Sequence, residues 1–451
     1  MGPVLVGITL AASIASSATF VINPGFVYTH GVSAFIHFGV SATSGVTLGL
    51  IIMSKGFRRY GTQTGALTLP HWIGARYDHA WMRTYFAILN LVLAITFVVL
   101  IIKGSALVMV ATLGLGYTVS VFIVVGFVFS YILLGGTYAH AYTNAFQGAL
   151  MTVVAILLVA SGFHLLGDGI GPFLARLSAE DPNLAKILNP SSALYSTPWE
   201  VFVTPFIVGF SLVCQPHILM KPLYLKEDRD LVLCLVVAAV VGFVFASILI
   251  VGLFARIEIP LGTTSQDAVM AFYIAKTFSP MLGVFISVAL IAAGMSTMDG
   301  ILVSASTIAG NDLFLGVLGD RLMPNATEER RQKAALRASR NLLIVMGIAS
   351  LVFVLNPPKY VGLFAQMGIY GLVAASVAPI LVGVFSTRVV AKDAFMAAII
   401  GPVIHFVHYG YVVVVLDQTI NPAVTATEGM MASLLFLLGA TALRKRSLAV
   451  A

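Results

Sequence analysis

The chain has 451 residues, of which 59% are hydrophobic and only 10% charged. Soluble domains carry roughly 25% charged residues, so the composition excludes a soluble enzyme or binding module. It indicates an all-α polytopic membrane protein, because helices satisfy their own backbone in lipid. The formal net charge of +7 predicts no nucleic-acid partner, since its placement along the chain accounts for it. Cys214 and Cys234 both lie in apolar stretches, so no disulfide framework is expected. The first apolar run has no basic region before it and carries Asn23-Pro24-Gly25 near its end, unlike a cleavable signal.

Stretches long enough to span a bilayer fall near 3–27, 32–54, 82–112, 117–134, 139–165, 198–219, 231–254, 282–310, 340–356, 361–385, 392–416 and 426–443. They predict about twelve transmembrane helices in one membrane domain, 1–451. With the N-terminus in the cytoplasm, the inner loops hold Lys55, Arg58, Arg59, Arg76, Arg83, Lys221, Lys226, Arg229, Arg321, Arg330, Arg331, Lys333, Arg337, Arg340, Arg388, Lys392, Arg444, Lys445 and Arg446. The outside receives only Arg176, Lys186, Arg256, Lys276 and Lys359. That asymmetry predicts two cytoplasmic termini in a cell membrane. The inner loop 311–339 is charge-dense and expected to be solvated.

Helix breakers mark the first span, at Asn23-Pro24-Gly25, and the sixth, at Pro205, Gly209 and Pro216. Broken helices five spans apart predict an inverted repeat with a mid-membrane site. The copies would be 1–165 and 198–385, with two appended helices in 386–451. Lys103 and Asp299 sit deep in apolar spans, where ionisable groups are functional candidates. They are expected to communicate electrostatically near a central cavity, directly or through a bound ion or substrate. The plainer expectations are that Lys103 snorkels to an interface and that Asp299 accepts helix hydrogen bonds.

The eighth span, residues 291–314, is rich in hydroxyls: Ser296, Thr297, Ser304, Ser306 and Thr307. Ala293, Ser296 and Thr297 are three or four positions apart and share a face. One carbonyl and two hydroxyls make half a cage for a small hard cation, which prefers oxygen ligands. The alternative is close helix packing through small residues. No GxxxxGK[ST] sequence occurs, and the nine histidines show no metal-ligand spacing, so neither ATP-driven transport nor a catalytic zinc is expected. His217, after Pro216, is expected to pack or gate.

These residues carry a resemblance. GMSTMDGILVSASTIAGNDLF is similar to the MSTxxxxLLxxSSxxxxDLY segment of the sodium/solute symporter family. ASSATFVINPGFVYTHG, ALTLPHWIGARY, GGTYAHAYTNAFQGALM and CQPHILMK resemble four further family segments, in family order. The resemblance implies the leucine-transporter type of fold and sodium-coupled uptake by alternating access, with Na+ as coupling ion and no other cofactor. It implies a sodium site from the carbonyls of Ala12, Ala15 and Ala293 and the hydroxyls of Ser296 and Thr297. The family usually has one more helix before the first core span, whereas Met1 here stands almost at the start of that span: the sequence is truncated, its start is mis-assigned, or the chain dispenses with that helix. It also has Asn144 where the family has an acid that helps to hold a second ion, and Asp299 and Gly300 at the positions of that site's hydroxyls. Asn144 and Asp299 are therefore a possible second ion or proton site. Leu212 and Val208 replace the aromatics of the proline-transporting branch, which argues against that solute and is closer to the pantothenate branch.

Thr19, His37, Ser41, Lys103, Gln215 and Gln366 are candidate substrate contacts. The expected function is a sodium-coupled symporter for a small organic solute, expected to be a carboxylate, working in the lipid bilayer with no obligatory protein partner. The alternatives are proton coupling through Asp299, or a solute sensor, which the lack of a soluble domain after Arg446 disfavours. No catalytic residues are expected.

Overall fold

The computed structural model describes residues 2–134, 137–358, 360–386 and 388–450, without the side chains of residues 131, 134–142, 320 and 445–450. The first part of the GGTYAHAYTNAFQGALM segment, and the side chains of Lys359, Lys445 and Arg446, lie outside the described residues. Among the described residues the chain forms helices and no strand. Nine helices among the described residues are long and apolar enough to cross a membrane: Val32–Thr64, Ala80–Leu113, Thr143–Ser161, Asp230–Glu258, Pro280–Leu318, Glu328–Leu355, Val361–Phe385, Ala391–Val415 and Pro422–Arg444. Two bent pairs add Pro3–Ile14 with Ala18–His30, at 56°, and Trp199–Leu212 with Pro216–Tyr224, at 61°. The shorter apolar helix Tyr117–Ser130 covers much of the fourth expected span.

The first helix does not break where its sequence suggests. Asn23-Pro24-Gly25 is helical: Pro24 lies inside the continuous helix Ala18–His30, directly after its π-helical part, Ala18–Ile22. The break lies at Ala15–Ser17, where Ala15 is extended (φ −82, ψ 123). In the sixth span, Pro205 likewise follows a π-helical part, Trp199–Val203, and the bend falls at Pro216 after extended Gln215 (φ −78, ψ 142).

Packing follows a regular set of neighbours. Pro3–Ile14 packs on Asp230–Ser247 and on Thr137–Ser161, whereas Thr204–Leu212 packs on Thr43–Thr64 and on Val361–Phe385. Thr137–Ser161 packs on Pro280–Thr307, Val361–Phe385 packs on Ala80–Leu113, and Ala80–Leu113 packs on Pro280–Thr307. Small residues set the closest approach: a Cβ on Gly209 would collide with the Ala42 carbonyl, and one on Gly45 with the Phe206 carbonyl. Lipid gives helices no hydrophobic reason to associate, so such backbone-to-backbone seams carry much of the packing.

The basic loops are more structured than their composition suggests. Residues 311–318 are not a solvated loop: they continue Pro280–Leu318 as a π-helix, and Asp312 is fully buried. It accepts from Arg83 Nε at 2.6 Å and from the Thr68 hydroxyl at 2.7 Å. Arg58 is also buried, donating to the carbonyls of Pro222 (2.7 Å) and Leu225 (2.8 Å) and to Asp228 (2.8 Å). Charged residues at this face therefore staple spans together as well as marking the topology.

Replacing Gly209 with valine tests the seam. Overpacking of this kind costs roughly 1–3 kcal/mol, so the purified variant should melt several degrees below the unmodified protein in detergent. An unchanged melting temperature would show that the seam tolerates a side chain.

Candidate ion and solute site

Where the first helix ends, the carbonyls of its last turn lose their intrahelical partners. At this depth they must find others. The long helix Pro280–Leu318 supplies them. Ser296 Oγ donates toward Ala12 O and Ala293 O, each at 3.0 Å, and Thr297 Oγ1 toward Ala15 O at 3.1 Å and Ala12 O at 3.4 Å. The five oxygens named from the sequence thus lie in one cluster. Ala12, Ala293, Ser296 and Thr297 are 0% exposed and Ala15 4%. Ser16 Oγ accepts from Ala18 N at 3.0 Å and starts the next helical stretch. The cluster is all oxygen and carries no formal charge, the ligand chemistry that suits a hard cation.

Asn144 meets this cluster from Thr137–Ser161. Its Nδ2 donates to Ser296 O at 3.3 Å. Asp299 is buried on the same long helix, one turn beyond Ser296. Lys103 does not pair directly with Asp299: Lys103 Nζ lies 2.7 Å from Asp267 Oδ2, with both side chains buried. Nor does Lys103 snorkel. Asp267 belongs to a short 3-10 turn, Gln266–Ala268, in a connection expected to be an ordinary outer loop. The loop folds back against the first broken helix, where a Cβ on Gly25 would collide with the Gln266 carbonyl. Nothing in local hydropathy signals a loop returning to the core, which is why this partner was missed.

A cavity of about 190 Å³ lies between the two broken helices. Thr19, His37, Gln215 and Gln366 line it, joined by Asn23 and Tyr370, which sequence reasoning did not single out. Val208 and Leu212 form part of its apolar wall. Ser41 and Lys103, also named as candidate contacts, do not reach it: Ser41 is buried off the wall and Lys103 is committed to Asp267. His37 is held by its Nδ1 against Glu200 O at 2.7 Å, with the rings of Phe38 and Tyr195 packed edge-on to it. No Lys, Arg, Asp or Glu lines the cavity. Its polarity comes from amides, hydroxyls and the exposed backbone at the two helix breaks. Among the described residues no group of three or more His, Cys, Asp or Glu side chains could hold a metal ion.

The family profile described as "Sodium:solute symporter family" matches residues 1–401. The chain belongs to the sodium:solute symporter family. It is an integral membrane protein of a transporter family, not an enzyme. Over 404 residues it is 26% identical to the sodium/pantothenate symporter of Haemophilus influenzae, with 88% of this chain and 80% of that protein covered. The sodium/pantothenate symporter of Escherichia coli is 26% identical over 417 residues, covering 90% and 82%. A sodium/proline symporter of Staphylococcus aureus is 23% identical, covering 79% and 68%. The symporter fold appears in a substrate-bound, outward-open Na+-coupled sialic acid symporter structure, at a TM-score of 0.76 and 16% identity, covering 98% of this chain and 90% of that one.

Within this symporter chain the buried Lys103–Asp267 pair makes a specific prediction. Removing one partner of a buried pair costs roughly 3–5 kcal/mol, because the other charge is left uncompensated. Lys103→Met and Asp267→Asn should each lower the melting temperature strongly, and the double variant should lose much less than the sum. Simple addition of the two losses would show that the pair does not act as a unit.

Proposed function

We propose that this symporter couples inward movement of a small carboxylated solute to sodium, and that the ion sits among Ala12, Ala15, Ala293, Ser296 and Thr297. The observation that carries the reading is the oxygen cluster joining the broken part of the first helix to Pro280–Leu318. A sodium ion there would be held by three carbonyls and two hydroxyls, and it would stabilise whichever access state keeps these helices together. It can bias that equilibrium only by its differential affinity for the two states. Asn144 and Asp299, beside the cluster, are proposed as a second ion or proton position.

The packing supports an inverted repeat. Advancing each span by five converts the contact of the first with the seventh into that of the sixth with the second. The same step converts first-with-fifth into sixth-with-tenth, and fifth-with-eighth into tenth-with-third. Such a set is expected where two copies of one five-helix unit interlock. With the basic face inside, both termini are cytoplasmic and the protein resides in the plasma membrane.

The solute would occupy the cavity between the helix breaks. Pantothenate and proline, named for the relatives, both carry a carboxylate. Without a cation on the wall, that group would be held by the amides and hydroxyls that line the cavity, from Thr19, Asn23, Gln215 and Gln366. Val208 and Leu212 give the cavity an aliphatic wall suited to a branched chain, which favours a pantothenate-like solute over proline.

Radioactive sodium binding to purified protein tests the ion site. Ser296→Ala with Thr297→Ala should weaken binding at least about tenfold, about 1.4 kcal/mol, while the protein still elutes as a folded species. Sodium affinity equal to that of the unmodified protein would remove these residues from the site.

A further inference from the structure

The central cavity does not end at the second helix break. A smaller cavity of about 30 Å³ adjoins it at Phe97, Gln215 and His217. A third, of about 60 Å³, continues the series at Pro216, His217 and Ser304. His217 lines all three. The series descends along the second broken helix toward the face that carries most of the Lys and Arg residues, and Leu67, Thr68 and Lys221 close its far end.

Lys221 is the unexplained group. It is 4% exposed, and no described residue accepts a hydrogen bond from it or forms an ion pair with it. The buried lysine on the opposite side, Lys103, has Asp267, and the basic-face Arg58 and Arg83 have Asp228 and Asp312. The other walls around Lys221 bring hydroxyls, from Thr68, Ser304 and Thr307. Asp312, which bonds the wall residue Thr68, already receives Arg83 and Thr68, so its charge is balanced. Asp299 precedes the wall residue Gly300 but does not itself line the cavity. A lysine that is buried overall but lines a cavity beside hydroxyls, with no protein anion, carries its charge at low cost only when an anion enters that cavity.

We infer that Lys221 and the Thr68, Ser304 and Thr307 hydroxyls form an anion-binding station on the solute's route between the central cavity and the basic face. The station takes the carboxylate of the departing solute, and it rests on the carboxylated-solute reading above. The central cavity has no formal cation, so a carboxylate leaving it would be drawn toward Lys221, and the hydroxyls would complete its solvation. His217, shared by all three cavities, would be the narrow point it passes.

Cysteine accessibility separates this proposal from the reading beneath it. In full-length protein carrying Cys214→Ala, Cys234→Ala and Thr307→Cys, the rates of modification by anionic sulfonatoethyl and cationic trimethylammonioethyl methanethiosulfonate are compared in permeabilised vesicles. With Lys221 present the anionic reagent should be favoured. Lys221→Met should lower the anionic-to-cationic ratio at least about tenfold, as expected when a local charge stops concentrating counter-ions, and Lys221→Arg should restore it. Pantothenate and lactate are the carboxylate probes. At least one should slow the modification in the Lys221 protein, whereas its uncharged alcohol analogue should not. A ratio independent of residue 221, including in the arginine variant, overturns the station. A ratio that shifts with residue 221, but with no protection by pantothenate or lactate, leaves an anion site standing and overturns the carboxylated-solute reading.

Discussion

A helix that breaks inside a membrane frees carbonyls that water cannot reach, and the rest of this molecule is arranged around satisfying them. The break at Ala15–Ser17 leaves Ala12 O and Ala15 O without helical partners, and the hydroxyls of Ser296 and Thr297 meet both. Each unpaired buried polar group would cost roughly 1–3 kcal/mol, so the first helix and Pro280–Leu318 are tied by their own unmet chemistry. The same tie creates the concentration of oxygen atoms that a cation can use. Structural need and ion binding are here two uses of one set of atoms. This explains why so hydroxyl-rich a helix is tolerated in an otherwise apolar chain.

The second consequence concerns charge. Ionisable groups in the membrane interior must find partners, and the described charges mostly do so across long sequence distances. Lys103 pairs with Asp267, Arg83 with Asp312, and Arg58 with Asp228 and two carbonyls. The first pair joins the third span to the turn before the short helix Val269–Thr277. The second joins the start of the third span to the end of the eighth. The third span is thus pinned near both of its ends, to that turn and to the eighth helix. Rearrangement of the broken helices would then occur against a comparatively fixed frame, which suits a transporter that alternates between access states.

Much of this was legible in the sequence because it depends on composition and local spacing. Apolar runs gave the spans, and the three- and four-residue spacing of Ala293, Ser296 and Thr297 gave a shared face that the fold keeps. Proline was a poorer guide. Pro24 and Pro205 sit inside continuous helices, just after π-helical turns, and the first helix breaks at Ala15–Ser17, a stretch without any proline. What the sequence hid was tertiary. Asp267 lies in a polar connection whose return to the core has no periodic signature, so Lys103 was matched to Asp299 instead. Asp312 and Lys221 looked like loop charges because hydropathy averages over a window and cannot see a charge folded inward at the end of a span. Ser41 is buried off the cavity wall although its neighbours His37, Phe38 and Ala42, in the same π-helical stretch Ile36–Ala42, line it.

The central claim is that sodium joins the broken first helix to Pro280–Leu318 through these five oxygens. Hydrogen–deuterium exchange in sodium against choline measures it most directly. Sodium should slow exchange selectively in peptides covering 12–19 and 293–300, and the effect should vanish when Ser296 and Thr297 are both alanine. Exchange in those peptides that is unaffected by sodium, or equally slowed after both substitutions, would contradict the account.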